Sequence, residues 1–80
     1  MITPQQIRGA RAMLGLTQAS LADAAGISTT ALNNIERGSA DPKASTLAAI
    51  QRALEGAGVI FLGDGDMKEG GPGVRLWSAE

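Results

Sequence analysis

The chain has 80 residues, 44% of them apolar, and seven basic against eight acidic side chains give a net charge of −1. It contains no cysteine and no histidine, which removes disulfide staples, thiolate metal sites and imidazole chemistry. Aromatic residues make up only 2% while alanine and leucine dominate the apolar residues, a composition that suits close-packed short helices better than a sheet. No apolar run approaches the length of a signal peptide or a membrane span, so a cytoplasmic protein is expected, with no membrane partner.

The first helix starts in "TPQQIRGARAMLG". Thr3 is a natural N-cap, Pro4 fits the first helical position, and Gln6 completes a capping box. Ile7, Ala10 and Leu14 then share one face, and Gly15 ends the run. Arg11 falls on that same inward side. A second, shorter helix in "LTQASLADAAG" is capped by Thr17, buries Leu21, Ala22 and Ala25, and stops at Gly26. Ser28 caps a third helix, anchored by Leu32 and Ile35 and closed by Gly38, and "SADPK" follows as a loop. The fourth helix begins near Ala44 and buries Leu47, Ile50 and Leu54.

After Gly58 the texture changes. "VIFL" (59–62) is a continuous run of strand formers, "GDGDMKEGGPG" (63–73) is a loop, and "VRLW" (74–77) reads as a second short strand. A calcium site in this loop is ruled out by Lys68 and Arg75, which occupy positions where carboxylates are required. The expected fold is therefore mainly α: a bundle of four short helices over 1–57, followed by a C-terminal β-hairpin over 58–80. The two parts differ in charge. Residues 1–57 carry five basic and four acidic side chains, net +1, whereas 58–80 carry two and four, net −2.

Four short helices with a three- to four-residue turn between the second and third describe a helix-turn-helix unit. The stretch "RAMLGLTQASLADAAGISTTALNNIERGSADPKASTLAAIQRAL" resembles the phage-repressor and Cro type of that unit, the Xre family. The resemblance covers roughly residues 4–57 and rests on "GLTQASLA", the turn glycine Gly26, "NNIERG" and "P…STLAAIQRAL", in that order.

That resemblance gives the third helix, 28–37, an explanation that composition does not. Thr29, Thr30, Asn33, Asn34 and Arg37 occupy one arc opposite Leu32 and Ile35 at about 100° per residue. On composition alone this arc reads more readily as solvent-facing filler. In the family the third helix lies in the DNA major groove, where asparagine pairs with adenine and a threonine methyl packs on thymine. The resemblance thus implies Thr29, Thr30 and Asn34 as base readers, with Asn33 in a more variable role. It implies that Gln18 anchors a phosphate. Thr17 and Ser28 are caps whose helix ends can also offer amides to phosphate, and Arg37 and Lys43 meet the DNA backbone or are plain surface charges. It further implies an internal ion pair between Arg11 and Glu36, structural in purpose. Independently of the resemblance, no metal or cofactor is expected, and eighty residues leave no room for a small-molecule effector pocket.

The tail departs from the family, many members of which carry a fifth helix instead. An apolar hairpin this small is marginal alone. Val59, Ile60, Phe61, Leu62, Val74, Leu76 and Trp77 are accordingly expected either to join two copies into a homodimer or to fold back on their own helices. The resemblance implies double-stranded DNA as the partner and a transcriptional regulator, a repressor, as the function; no enzyme is expected, since no nucleophile, base and orienting group can be assembled into an active site. The alternative is an antitoxin or adaptor that holds a partner protein through its acidic tail and regulates its own synthesis through the helices.

Overall fold

The computed structural model describes residues 1–63 and 71–76. Four helices, α1 (Pro4–Leu14), α2 (Gln18–Ala25), α3 (Thr29–Glu36) and α4 (Ala44–Gly56), precede two strands, β1 (Val59–Leu62) and β2 (Gly73–Leu76). Local chemistry sets the starts of the first three helices. The hydroxyls of Thr3, Thr17 and Ser28 accept from the backbone N–H of Gln6, Ser20 and Ala31, each satisfying a donor that the first turn leaves without an intrahelical partner. α4 starts at Lys43 with no side-chain cap. Among the described residues no helix is long and apolar enough to cross a membrane.

The helices close around Ile7, Leu21, Leu32, Ile50 and Leu54, all wholly removed from solvent, with Ile2, Ala10, Ala22, Ile35 and Val59 completing the core. Each large aliphatic side chain buried in this way contributes about 1.5–3 kcal/mol relative to an exposed one. Leu47, expected inside, is only partly buried against this core.

The two strands pair antiparallel, Val59 opposite Leu76, Ile60 opposite Arg75, Phe61 opposite Val74 and Leu62 opposite Gly73. The second strand thus begins one residue earlier than the apolar run suggests, because Gly73 pairs with Leu62 although it has no side chain to signal it. Trp77 lies outside the described residues. Directly opposed residues share a face. One face, Val59, Phe61 and Val74, packs on the chain's own core, with Leu76 at its end left 44% exposed. Ile60, Leu62 and Arg75 form the other.

Gln6 fastens the hairpin to α1. Its Oε1 accepts from the Thr3 N–H at 2.8 Å, completing the capping box, while its Nε2 donates to the carbonyls of Leu62 at 3.0 Å and Gly73 at 2.9 Å. One side chain therefore caps a helix and holds both strands at the Leu62–Gly73 end of the hairpin. Three residues along α1, a Cβ on Gly9 would stand 3.5 Å from a methyl of Val74, so helix and strand meet at ordinary contact distance there.

Candidate nucleic-acid interface

The angle between α2 and α3 is set by Gly26, Ile27 and Ser28. Gly26 has φ of 73°, a left-handed conformation that costs a residue with a Cβ about 1 kcal/mol or more. In that conformation Ile27 turns back to donate to the carbonyl of Ala22 at 3.0 Å, which satisfies the last turn of α2 and aims the chain into α3.

On α3, Leu32, Ile35 and Glu36 are buried, while Thr29, Thr30 and Arg37 are exposed and Asn33 and Asn34 half-buried. The two asparagines lean to different sides. Asn34 borders a shallow, mostly apolar groove with Ile27, Ala31, Ile35 and Pro42. Its backbone carbonyl takes hydrogen bonds from Ser39 N–H at 3.0 Å and Ser39 Oγ at 3.2 Å, and its side-chain amide has no partner among the described residues. Asn33 leans toward α2, where its Oδ1 accepts from Gln18 Nε2 at 3.3 Å. Thr17 and Ser28 stand at the starts of α2 and α3, engaged as caps through their hydroxyls but solvent-exposed. Arg37 ends α3 and Lys43 precedes α4; both are exposed, and among the described residues neither forms an ion pair.

Beneath this surface lies a polar network. Arg11 Nε and Nη2 donate to the two oxygens of Glu36, each at 3.0 Å, and Arg11 Nη1 donates to the carbonyl of Leu16 at 3.1 Å. Gln18 Nε2 donates to Glu36 Oε1 at 3.2 Å. The Glu36 side chain is 3% exposed and that of Arg11 25%. Burial of this carboxylate is tolerated because three N–H groups converge on it. No buried side-chain nitrogen or oxygen among the described residues lacks a partner.

Three features of this site escape a reading of the sequence. Arg8 donates from Nη1 to the carbonyl of Glu36, so a cation closes the end of α3 beside Arg37. Its one signal is its spacing three residues before Arg11, which puts both on the side of α1 that meets α3. The second feature is the bond between Gln18 and Asn33. The third concerns Gln18, whose two amide hydrogens are both committed inward, to Glu36 and to Asn33. What Gln18 has left for a phosphate is its backbone N–H in the first turn of α2.

The arrangement of the helices is shared with known proteins. A family model described as helix-turn-helix matches residues 7–57. The solution structure of the DNA-binding domain of the P22 C2 repressor aligns with a TM-score of 0.63 at 31% identity, covering 69% of this chain and 72% of that one. A point mutant of the restriction-modification controller protein C.Esp1396I aligns with a TM-score of 0.63 at 33% identity, covering 65% and 68%. No curated protein sequence matches at a significant level. The hairpin lies beyond the part that the family model covers.

Proposed function

The chain belongs to the Xre, or lambda-repressor-like, family of helix-turn-helix proteins, and from that premise we propose that it is a sequence-specific transcriptional repressor. α3 enters the major groove, and bound protein blocks the promoter it occupies. The observation that carries this reading is the face of α3 that the core leaves uncovered. It holds Thr29, Thr30, Asn33 and Asn34, poor helix formers with short uncharged polar side chains that suit base edges better than solvent. Thr29, Thr30 and Asn34 read bases. Arg37, Lys43 and the N-terminal ends of α2 and α3, capped by Thr17 and Ser28, meet the phosphates.

The repressor works as a homodimer. With a net charge of only +1 over residues 1–57, one copy neutralises few phosphates and binds weakly. Two copies reading half-sites about one helical turn apart remove that weakness. Val59, Phe61 and Val74 are taken up by the chain's own core, so the contact between copies falls to Ile60, Leu62 and Leu76 and to the outer strand edges, which pair with no third strand among the described residues.

The test is fluorescence anisotropy on DNA from upstream of the protein's own gene, followed by selection from random duplexes, at two salt concentrations. Native protein should bind selectively and lose affinity as salt rises. The double variant Thr30→Ala, Asn34→Ala, shown by circular dichroism to be folded, should fall to the non-specific level. Equal binding by native protein and variant would sink base reading by α3.

A further inference from the structure

Resting on that reading, we infer that the buried Arg11–Glu36 pair fixes which way round the amide of Asn33 faces the DNA, making Asn33 a donor that selects an acceptor-rich base edge, guanine above all, and rejects cytosine. Each step follows from the chemistry of the groups. Glu36 accepts from Arg11 on both oxygens, at 3.0 Å each, and as the carboxylate partner of this ion pair it offers its other neighbours only acceptors. The Gln18 amide that meets Glu36 Oε1 at 3.2 Å must therefore present nitrogen, since the flipped amide would set oxygen against oxygen with no hydrogen between them. Nε2 also reaches Asn33, 3.3 Å away, and that partner must likewise present oxygen. The Nδ2 of Asn33 is then the end turned away from α2, and it has no hydrogen-bond acceptor among the described residues.

The polarity of a buried ion pair is thus carried through two amides to the face of α3. Guanine offers two acceptors, N7 and O6, to the two hydrogens of Nδ2, whereas cytosine offers only its N4 donor. Asn34, whose side-chain amide has no partner among the described residues, can turn either way and keeps the two-pronged donor-and-acceptor match to adenine. The neighbouring asparagines consequently read different bases, and the difference originates in their partners. Gln18 and Glu36 act here as positioning residues.

Selection of bound sequences from randomised duplexes, run in parallel on native protein, Asn33→Asp and Gln18→Leu, tests this. Native protein should show one half-site position enriched in guanine and depleted in cytosine. In Asn33→Asp the introduced carboxylate still accepts from Gln18, so the fold is kept, but an acceptor now faces the base. Preference at that one position should move to cytosine by about tenfold, with other positions unchanged. Gln18→Leu releases the amide of Asn33 and should flatten discrimination at the same position only. An unchanged sequence preference in Asn33→Asp, or a uniform loss at every position, would overturn the inference while leaving the repressor reading intact. If native protein enriches no sequence at all, the repressor reading falls and takes the inference with it. Amide exchange by NMR adds a check that needs no DNA: the side-chain NH2 of Gln18 should be protected and that of Asn33 open to solvent, and the reverse pattern would also overturn the inference.

Discussion

Replacing Gln6 by glutamate separates the two jobs of one side chain. Glutamate is itself a capping-box residue, so an oxygen still accepts from the Thr3 N–H and α1 keeps its N-terminus. The donors are lost. An oxygen replaces Nε2 against the carbonyls of Leu62 and Gly73, at 3.0 and 2.9 Å, in a residue only 5% exposed. Depriving a fully buried acceptor of its partner costs about 1–3 kcal/mol, and these two carbonyls belong to half-buried residues, so the two together should cost about 2–4 kcal/mol at neutral pH, a large part of the few kcal/mol that hold a small domain together. The cost should depend on pH with a definite sign. Only the protonated acid can donate to a carbonyl, so folding raises the pKa of the introduced carboxyl above its ordinary value of about 4.3. The penalty is then smallest below that value, grows as pH rises through the folded pKa, and levels off above it. Urea denaturation of native and variant proteins at pH 4 and pH 7 measures this, and hydrogen exchange at 59–62 and 73–76 locates the loss in the hairpin. A variant within about 0.5 kcal/mol of native at pH 7, or a deficit independent of pH, would refute the assignment of Gln6 as the clamp; Gln6→Leu, which cannot titrate, should show a deficit that does not vary with pH.

Three further outcomes follow from the same contacts. Gly9→Ala should stabilise the protein by about 0.5–1 kcal/mol and raise its melting temperature by several degrees, because alanine is the better helix former and its Cβ meets Val74 at an ordinary 3.5 Å. Arg11→Met should cost about 3–5 kcal/mol in chemical denaturation, since it leaves the carboxylate of Glu36 buried with Gln18 as the one remaining side-chain donor among the described residues; a loss below about 1 kcal/mol would mean that the pair behaves like a surface bridge. Leu76→Lys, at a side chain 44% exposed, should leave the melting temperature of dilute protein within a degree or two, yet shift sedimentation equilibrium toward monomer and weaken DNA binding at low protein concentration.

What the sequence discloses here is what neighbours along the chain decide. Thr3, Thr17 and Ser28 are recognisable as caps because a cap bonds three residues ahead, and Gly15 and Gly26 as stops because the turn they allow closes on the same helix. The exposed arc of α3 is legible for the same reason, helical periodicity being a local rule. What stays hidden depends on partners far away in the chain. The capping role of Gln6 spans three residues and is visible in "TPQQ", whereas its grip on the hairpin spans 56 and 67 residues and has no sequence signature. Arg8 and its acceptor are 28 residues apart, Gln18 and Asn33 fifteen. The run "VIFL" hides its alternation too: all four residues are apolar, and only the pairing with β2 divides Val59 and Phe61 from Ile60 and Leu62.

Both long-range attachments converge on α1. At its start Gln6 grips the hairpin; five residues on, about 7.5 Å along the axis, Arg11 holds Glu36, with Arg8 between them closing the end of α3. Roughly one and a half turns of a capped helix thus join the element proposed to bring copies together to the element proposed to read bases. A helix segment this short does not bend without a proline or a bulge, and between Gln6 and Arg11 there is neither. In a dimer joined through the hairpins, the spacing and tilt of the two recognition helices would then be fixed by rigid contacts within each copy, with no flexible linker to accommodate other spacings. Such a protein should discriminate sharply among half-site separations: operators with one base pair inserted between half-sites, which rotates one site by about 34° and moves it by about 3.4 Å, should bind no better than a single half-site. Equal affinity for both spacings in anisotropy titrations would show that the hairpin does not set the geometry, whatever else it does.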